Sequence, residues 1–350
     1  MAHDRDIDGI DREIIRLLSE RTERYVKNLK DNPPGGDIFS ADERSRVVGL
    51  IAEVNGGPLP NRVLEKIYTD ILTESMSLAV PFVVSFMGPE GSFSGVAVRE
   101  FFGGSIRPVP QKTIQDVFQQ VEAGNARYGV VPIENSTEGS VTFTLDELAD
   151  TRLSILSERY IRVTYSLLSK GSDIDAVGKI YAHPQTIGQC KGWIRSHLPG
   201  AEVVSVESTS RAAELAASED GTAAIASDLA GGIYRLKTLA TMIEDLRNNY
   251  TRFFLVGNTV NRPTGNDKTS IMCTVKDKPG ALLDILKPFS EEGINMTRIE
   301  SRPDKKKMWE YNFFIDILGH MSDAAVTTAL EKIKNEALFL KILGSYPVGN

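Results

Sequence analysis

Several short stretches place hydroxyls, amides and carboxylates where apolar runs begin or end. In "NNYTRFFLVG" (248–257), Thr251 and Arg252 precede the apolar run Phe253 to Val256. In "VVPIENSTEGSV" (130–141), a buried-looking run opens into Glu134, Asn135, Ser136, Thr137 and Glu138. "ESTSR" (207–211) offers Glu207, Ser208, Thr209 and Ser210, and "YAHPQTIGQC" (181–190) offers His183, Gln185 and Gln189. These groups suit the orientation of a small anion and the transfer of a proton. They suit hydride or phosphoryl transfer poorly, because no G-x-G-x-x-G follows a strand and G-x-x-x-x-G-K is absent. Histidines 3, 183, 197 and 320 show no metal-binding spacing, so neither a metal nor a cofactor is expected. Taken singly, each stretch also reads as a polar loop or a helix cap.

The elements that must position these groups follow from periodicity. Residues 1–80 read as three helices, with Ile7, Ile10, Ile14 and Leu17 forming one stripe and breaks at "DNPPGG" (31–36) and "NGGPLPN" (55–61). The second and third helices are expected over about 41–54 and 61–79. Residues 82–260 alternate short apolar runs with helical stretches, the pattern of α/β lobes with parallel strands. Ligands in such sheets lie beyond the carboxyl ends of strands, near helix N-termini. "GPEGSFS" (88–94) is one such strand-to-helix turn, readable as an anion cradle or simply as a well-made turn. After "NRPTGND" (261–267), residues 268–350 give the order βαββαβ, a ferredoxin-like α+β arrangement.

Bulk properties narrow the class. The 350 residues carry a formal charge of −7, and the only basic run is Lys305 to Lys307, which argues against nucleic acid as a partner. Cys190 and Cys273 lie far apart, consistent with reduced thiols and a cytoplasmic location. The acidic start "MAHDRDIDGI" is no secretory signal, and "SLAVPFVVSFMG" is too short to span a membrane.

"GPEGSFS", "IENSTEG", "ESTS", "YTRFFLVG", "PGALL" and "ESRP", in that order, resemble prephenate dehydratases with an N-terminal chorismate mutase domain and a C-terminal ACT domain. The resemblance extends from "NGGPLP" to "LGSYP". It implies a mutase-like all-α domain, a two-lobed dehydratase domain like a periplasmic binding protein, and an ACT domain. It implies conversion of prephenate to phenylpyruvate, with Thr251 as the acid or hydrogen-bond donor. Glu134, Asn135, Ser136, Gln189, Glu207, Ser208, Thr209, Arg252 and Phe253 would form the substrate site, with Arg252 as electrostatic neighbour to Thr251. Gly280, Ala281, Leu282, Leu283, Glu300, Ser301, Arg302 and Pro303 would bind phenylalanine as a feedback inhibitor. Ala182 stands where many relatives carry Ser before His-Pro.

The first domain matches less well. Arg21 continues the apolar stripe and fits the mutase family's carboxylate-binding Arg. Asp4 stands where the family has its first Arg, with Arg5 adjacent; Lys30 is displaced by two; Glu43-Arg44 reverses the family's order; Ala79 replaces a Gln. Donors to an atom where charge develops are each worth about 3 kcal/mol. A mutase-like fold with weak or no mutase activity is therefore expected, against the alternatives of a bifunctional enzyme and a non-catalytic amino-acid sensor. The stripe on the first helix favours a homodimer or homotetramer.

Overall fold

The computed structural model describes residues 5–31, 41–275, 278–303 and 310–349. Asp4, residues 32–36 of the first break and the triplet Lys305 to Lys307 lie outside the described residues.

The first unit is three helices: α1 (Arg5–Asp31), α2 (Ala41–Val54) and α3 (Asn61–Ala79). It buries a small core, Val47, Ile51, Leu72 and Met76, with Tyr25, Leu29 and Tyr68 at its margin. The predicted stripe stays open, with Ile7 56%, Ile10 59%, Ile14 48% and Leu17 49% exposed. Arg44 joins this unit to the next: its guanidinium donates to the backbone carbonyls of Phe101 (3.0 Å) and Glu100 (3.3 Å). Asp70 accepts from the Gly104 N–H at 2.8 Å. Gly103, at φ 77°, passes so close to Asp70 that a Cβ would lie 1.9 Å from its carboxylate oxygen. Only glycine fits there.

The second unit has two lobes. Its elements run β1 (Val84–Met87), α4 (Phe93–Phe102), β2 (Val109–Gln111), α5 (Ile114–Glu122), β3 (Tyr128–Asn135), β4 (Gly139–Ser140), α6 (Thr142–Asp150) and β5 (Ser154–Arg162). The chain then crosses to β6 (Ser166–Ser169), β7 (Lys179–Ala182), α7 (Pro184–Gln189), α8 (Lys191–His197), β8 (Glu202–Ser205), α9 (Thr209–Ser218), β9 (Thr222–Ala226), α10 (Asp228–Tyr234) and β10 (Lys237–Ala240). It returns as β11 (Tyr250–Gly257). The first lobe's sheet has the order β2-β1-β3-β11-β5, with β4 on β3; the second has the order β10-β6-β9-β7-β8.

Both sheets are mixed, so the expected parallel strands are present but are joined by antiparallel ones. β11 runs antiparallel to β3 and β5, and β6 runs antiparallel to β9 and β10. The antiparallel pairing matters for position. A returning antiparallel strand brings its N-terminal end to the carboxyl end of its neighbour, so Thr251 pairs with Asn135 and Arg252 with Glu134.

The third unit is β12 (Asp267–Thr274), α11 (Ala281–Glu291), β13 (Met296–Pro303), β14 (Tyr311–Leu318), α12 (Ala324–Glu336) and β15 (Phe339–Pro347). Its antiparallel sheet has the order β13-β14-β12-β15. Alternation divides its side chains between two cores. Ile271, Cys273, Ile315 and Ile317 meet α11 and α12. Met272, Phe314, Leu343 and Tyr346 join the first lobe's own Leu145, Leu148, Ile155 and Phe254. One apolar core thus spans two units. Among the described residues, no helix is long and apolar enough to cross a membrane.

Candidate active site

The site is organised around Asn135. Its side-chain oxygen accepts from the Thr137 N–H (3.0 Å), the Thr137 hydroxyl (2.6 Å) and the Glu138 N–H (3.1 Å). Two of these donors are backbone amides, so the oxygen's identity is fixed and the NH2 must face the other way. There it donates to the Thr251 hydroxyl at 2.9 Å and to the Asn249 side-chain oxygen at 2.7 Å. Thr251 is therefore an acceptor from Asn135, and its own proton points elsewhere. Accepting one hydrogen bond strengthens a hydroxyl as a donor of the next.

Asn249 continues the chain of contacts. It is 4% exposed, and its NH2 donates to the side-chain oxygen of Gln189 at 3.3 Å. Gln189 lies on α7 of the second lobe, so the relay from Thr251 to Gln189 bridges both lobes. The Glu138 carboxylate, held beside Asn135, also accepts from Gln185 of α7. Sequence reading missed Asn249; the available signal was its spacing of two from Thr251, which puts both on one side of an extended chain.

The lobes meet elsewhere too. Ser227 donates to the Gly91 carbonyl at 2.9 Å, and a Cβ on Gly91 would lie 2.9 Å from the Ser210 hydroxyl oxygen. "GPEGSFS" thus makes an inter-lobe contact, with Ser92 capping α4 through the Gly95 N–H. At the crossing, Val163 N–H donates to Asn249 O (2.8 Å) and Tyr165 N–H to the buried Glu244 carboxylate (3.0 Å). Burial pushes the neighbouring Cys190 thiol up to about 12, with Asp245 and Glu244 adding to the effect. It is an inert core residue rather than a nucleophile.

Three expected residues, Arg252, Glu134 and Phe253, lie away from the Asn135–Thr251 cluster. Arg252 is 2% exposed and points to the sheet face opposite Thr251, as strand alternation demands. Its guanidinium meets Glu158 (2.6 Å), Asp316 (2.6 Å) and Glu134 (3.2 Å), and donates to the Tyr346 hydroxyl at 3.1 Å. Burial alone would weaken its hold on its proton; Tyr346, Asp316 and Glu158 outweigh that and hold it above its usual range. Glu134 shares this face, binding Arg252 and, at 2.7 Å, Arg298 of β13. Phe253 is 1% exposed and packs in the core with Phe86, Phe101 and Leu255. Glu207 stands at the surface, its side chain 76% exposed and 3.8 Å from Arg211.

The remaining expected residues divide. Ser208 caps α9 by accepting from the Arg211 N–H at 3.0 Å, and Thr209 opens that helix. Ser136 is spent on the backbone of Tyr250 and Asn248. Ala182 is fully buried in the second lobe's core. In the third unit, Gly280 adopts φ 83° before α11, which begins at Ala281 with Leu282 and Leu283. β13 alternates: Arg298, Glu300 and Arg302 are the shielded positions, while Ser301 and Pro303 are exposed. Arg302 reaches Asp146 of α6 at 3.0 Å. Expected effector residues therefore lie on both faces of one strand.

Fold and site together define a two-lobed α/β enzyme whose cleft presents neutral hydroxyl and amide groups, with a βαββαβ unit seated on the back of its sheet. A family model described as prephenate dehydratase matches residues 84–261, and one described as ACT domain matches 269–335. A bifunctional chorismate mutase/prephenate dehydratase from Aquifex aeolicus is 42% identical, over 98% of this chain and 96% of that protein. A solved prephenate dehydratase from Arthrobacter aurescens, in complex with L-Phe, is 34% identical with TM-score 0.70, covering 76% of this chain and 90% of that one. A solved structure described as a novel type of quorum-quenching acylase is 29% identical with TM-score 0.70, covering 76% and 98%. The chain belongs to the prephenate dehydratase family and carries an ACT domain.

Proposed function

We propose that the cleft converts prephenate to phenylpyruvate with Thr251 as the proton donor. The C–C bond to the ring carboxylate breaks and carbon dioxide leaves. Its electron pair completes the aromatic ring as the ring C–O bond breaks. The departing hydroxide takes the Thr251 proton and leaves as water. Solvent reprotonates Thr251, so one proton is consumed overall. Aromatisation drives the reaction, and the protein's share is orientation and general acid help.

The Asn135–Thr251 contact carries this reading, because it leaves the hydroxyl proton available and strengthens its donation. With Arg252 behind the sheet, Thr251, Asn135, Asn249 and Gln189 form a neutral cluster that orients by hydrogen bonds. Following phenylpyruvate from prephenate tests the activity. Thr251→Ala should lower kcat by roughly two to four powers of ten with a smaller change in KM. Unchanged turnover would remove Thr251 from the mechanism. Acylase activity in place of prephenate turnover would favour the acylase relative's chemistry.

Phenylalanine is the effector in this reading, held by the ferredoxin-like ACT unit near Gly280 to Leu283 and Ser301. The relative solved with L-Phe supports it. The first unit is read as mutase-like with weak or no activity. Arg44 is occupied with the carbonyls of α4, and Arg46 pairs with Glu43 at 2.7 Å. Arg21 lies over the rings of Tyr25 and Tyr68. The bifunctional alternative is favoured by the full-length relative and by an open groove of about 500 Å³ lined by Leu17, Arg21, Arg24, Tyr25, Glu43 and Arg46. Chorismate consumption above its spontaneous rate decides between them. We also infer a cytoplasmic homodimer or tetramer, paired through the open stripe of α1.

A further inference from the structure

Thr251 and Asn135 have immediate neighbours, Arg252 and Glu134, that point the other way. The two pairs sit at successive register positions of adjacent strands, Thr251 opposite Asn135 and Arg252 opposite Glu134. The front pair is the hydroxyl and amide of the site. The back pair is an arginine and a carboxylate held by the ACT unit. Asp316 and Tyr346 grip Arg252, while Arg298 grips Glu134 with Nε and the Ser140 hydroxyl with Nη2 at 2.8 Å. The two oxygens of Glu134 are divided, one to Arg252 and one to Arg298. Any shift of β13 against the catalytic sheet must therefore move Glu134 or break a charge pair.

Two more features suit this arrangement to transmission. β13 is the edge strand of its sheet, and it carries Ser301 and Pro303 on the face opposite Arg298 and Arg302. The pairing of β3 with β11 is irregular just before Glu134, where Arg252 faces Glu134 but Phe253 faces Pro132. An extra residue in a strand re-aims the side chains beside it. The stretch that holds Glu134 and Asn135 therefore departs from the regular ladder at the point where Arg298 grips it.

We propose that Arg252 and Glu134 are positioning residues, and that Arg298 of the ACT unit sets the Asn135–Thr251 geometry from behind by its hold on Glu134. Phenylalanine then acts by favouring one placement of β13, and with it one placement of the Asn135 amide. This rests on the reading of Thr251 as proton donor and phenylalanine as effector.

The test uses the full chain and its Arg298→Gln, Arg298→Lys and Glu134→Gln variants. Phenylalanine binding is titrated by calorimetry, and its inhibition of prephenate turnover is measured in parallel. Arg298→Gln should still bind phenylalanine while the inhibition factor falls at least about fivefold, and Arg298→Lys should keep most of it. The Arg298→Gln/Glu134→Gln double variant should lose no more coupling than either single one. Inhibition of Arg298→Gln as complete as that of the unaltered protein overturns the proposal. Hydrogen exchange at amides 135–139 provides a readout without turnover. Phenylalanine should change it in the unaltered protein and not in Arg298→Gln. If the unaltered protein makes no phenylpyruvate, the dehydratase reading fails, and the exchange result still decides the coupling. Absence of phenylalanine binding, or exchange indifferent to it in the unaltered protein, overturns the coupling.

Discussion

The catalytic unit is flanked by two partners that dock in opposite ways. The ACT unit shares an apolar core with it and places charges inside that core. Glu158 is fully buried, paired with Arg252 and, at 2.7 Å, with Lys268. Across the joint, the carboxylates of Glu134, Glu158 and Asp316 answer the cations Arg252, Arg298 and Lys268. The helical unit instead rests on α4 through Arg44, Asp70 and a small core, leaving its own apolar stripe in solvent. The difference teaches where communication can run. A buried charge network has few alternative arrangements, because each unpaired member is costly. The joint at Arg44 instead caps the end of α4, donating to the carbonyls of Glu100 and Phe101 that the helix's own ladder leaves open, and among the described residues makes no contact with the strands that hold Asn135 and Thr251.

The comparison can be broken at its strong side first. Arg252→Met should cost about 3–5 kcal/mol in stability, because Glu158 and Asp316 remain buried without their partner. The check is the midpoint of urea unfolding, and a shift no larger than that of a surface variant would mean the network is slack. Arg44→Met should cost about 1–3 kcal/mol by leaving two carbonyls less well satisfied. Its kcat for prephenate should stay within about twofold, as expected of a distant, independent site. A large fall in kcat would show that the helical unit is coupled after all. The smallest effect on the folded monomer is expected from Ile10→Glu, since Ile10 is 59% exposed. Light scattering should show a smaller assembly while the unfolding free energy of the protomer from urea titration changes by about 0.5 kcal/mol or less. An unchanged mass would mean that the stripe pairs with nothing.

Much of the fold could be read from periodicity. The second and third helices have the expected bounds, and the apolar run of β11 is a core strand. β5 was not legible. Glu158 and Arg159 interrupt the apolar pattern of "SILSERYIR", and the partner that lets Glu158 be buried lies 94 residues onward, at Arg252. The site was legible in part. Asn135, Gln189 and Thr251 converge on one relay, whereas Arg252, Glu134 and Phe253 do not join it. The error with Arg252 was one of period. Adjacent residues on a strand face opposite ways, so a Thr-Arg pair could never both enter one cleft. Two charges that looked like substrate ligands were answered instead by a different domain, and no local pattern carries that information.

The shared core has a consequence for how regulation could be lost. The linker near residue 262 looks like a place to sever feedback from catalysis. Cutting there would strip Phe254, Ile155 and Leu148 of their cover and leave Glu158 with half its counter-ions. A lineage selected to overproduce the pathway's product could not simply shed its sensor. It would have to keep the domain and deafen it, one substitution at a time, on the face that Arg298 and Asp316 do not use.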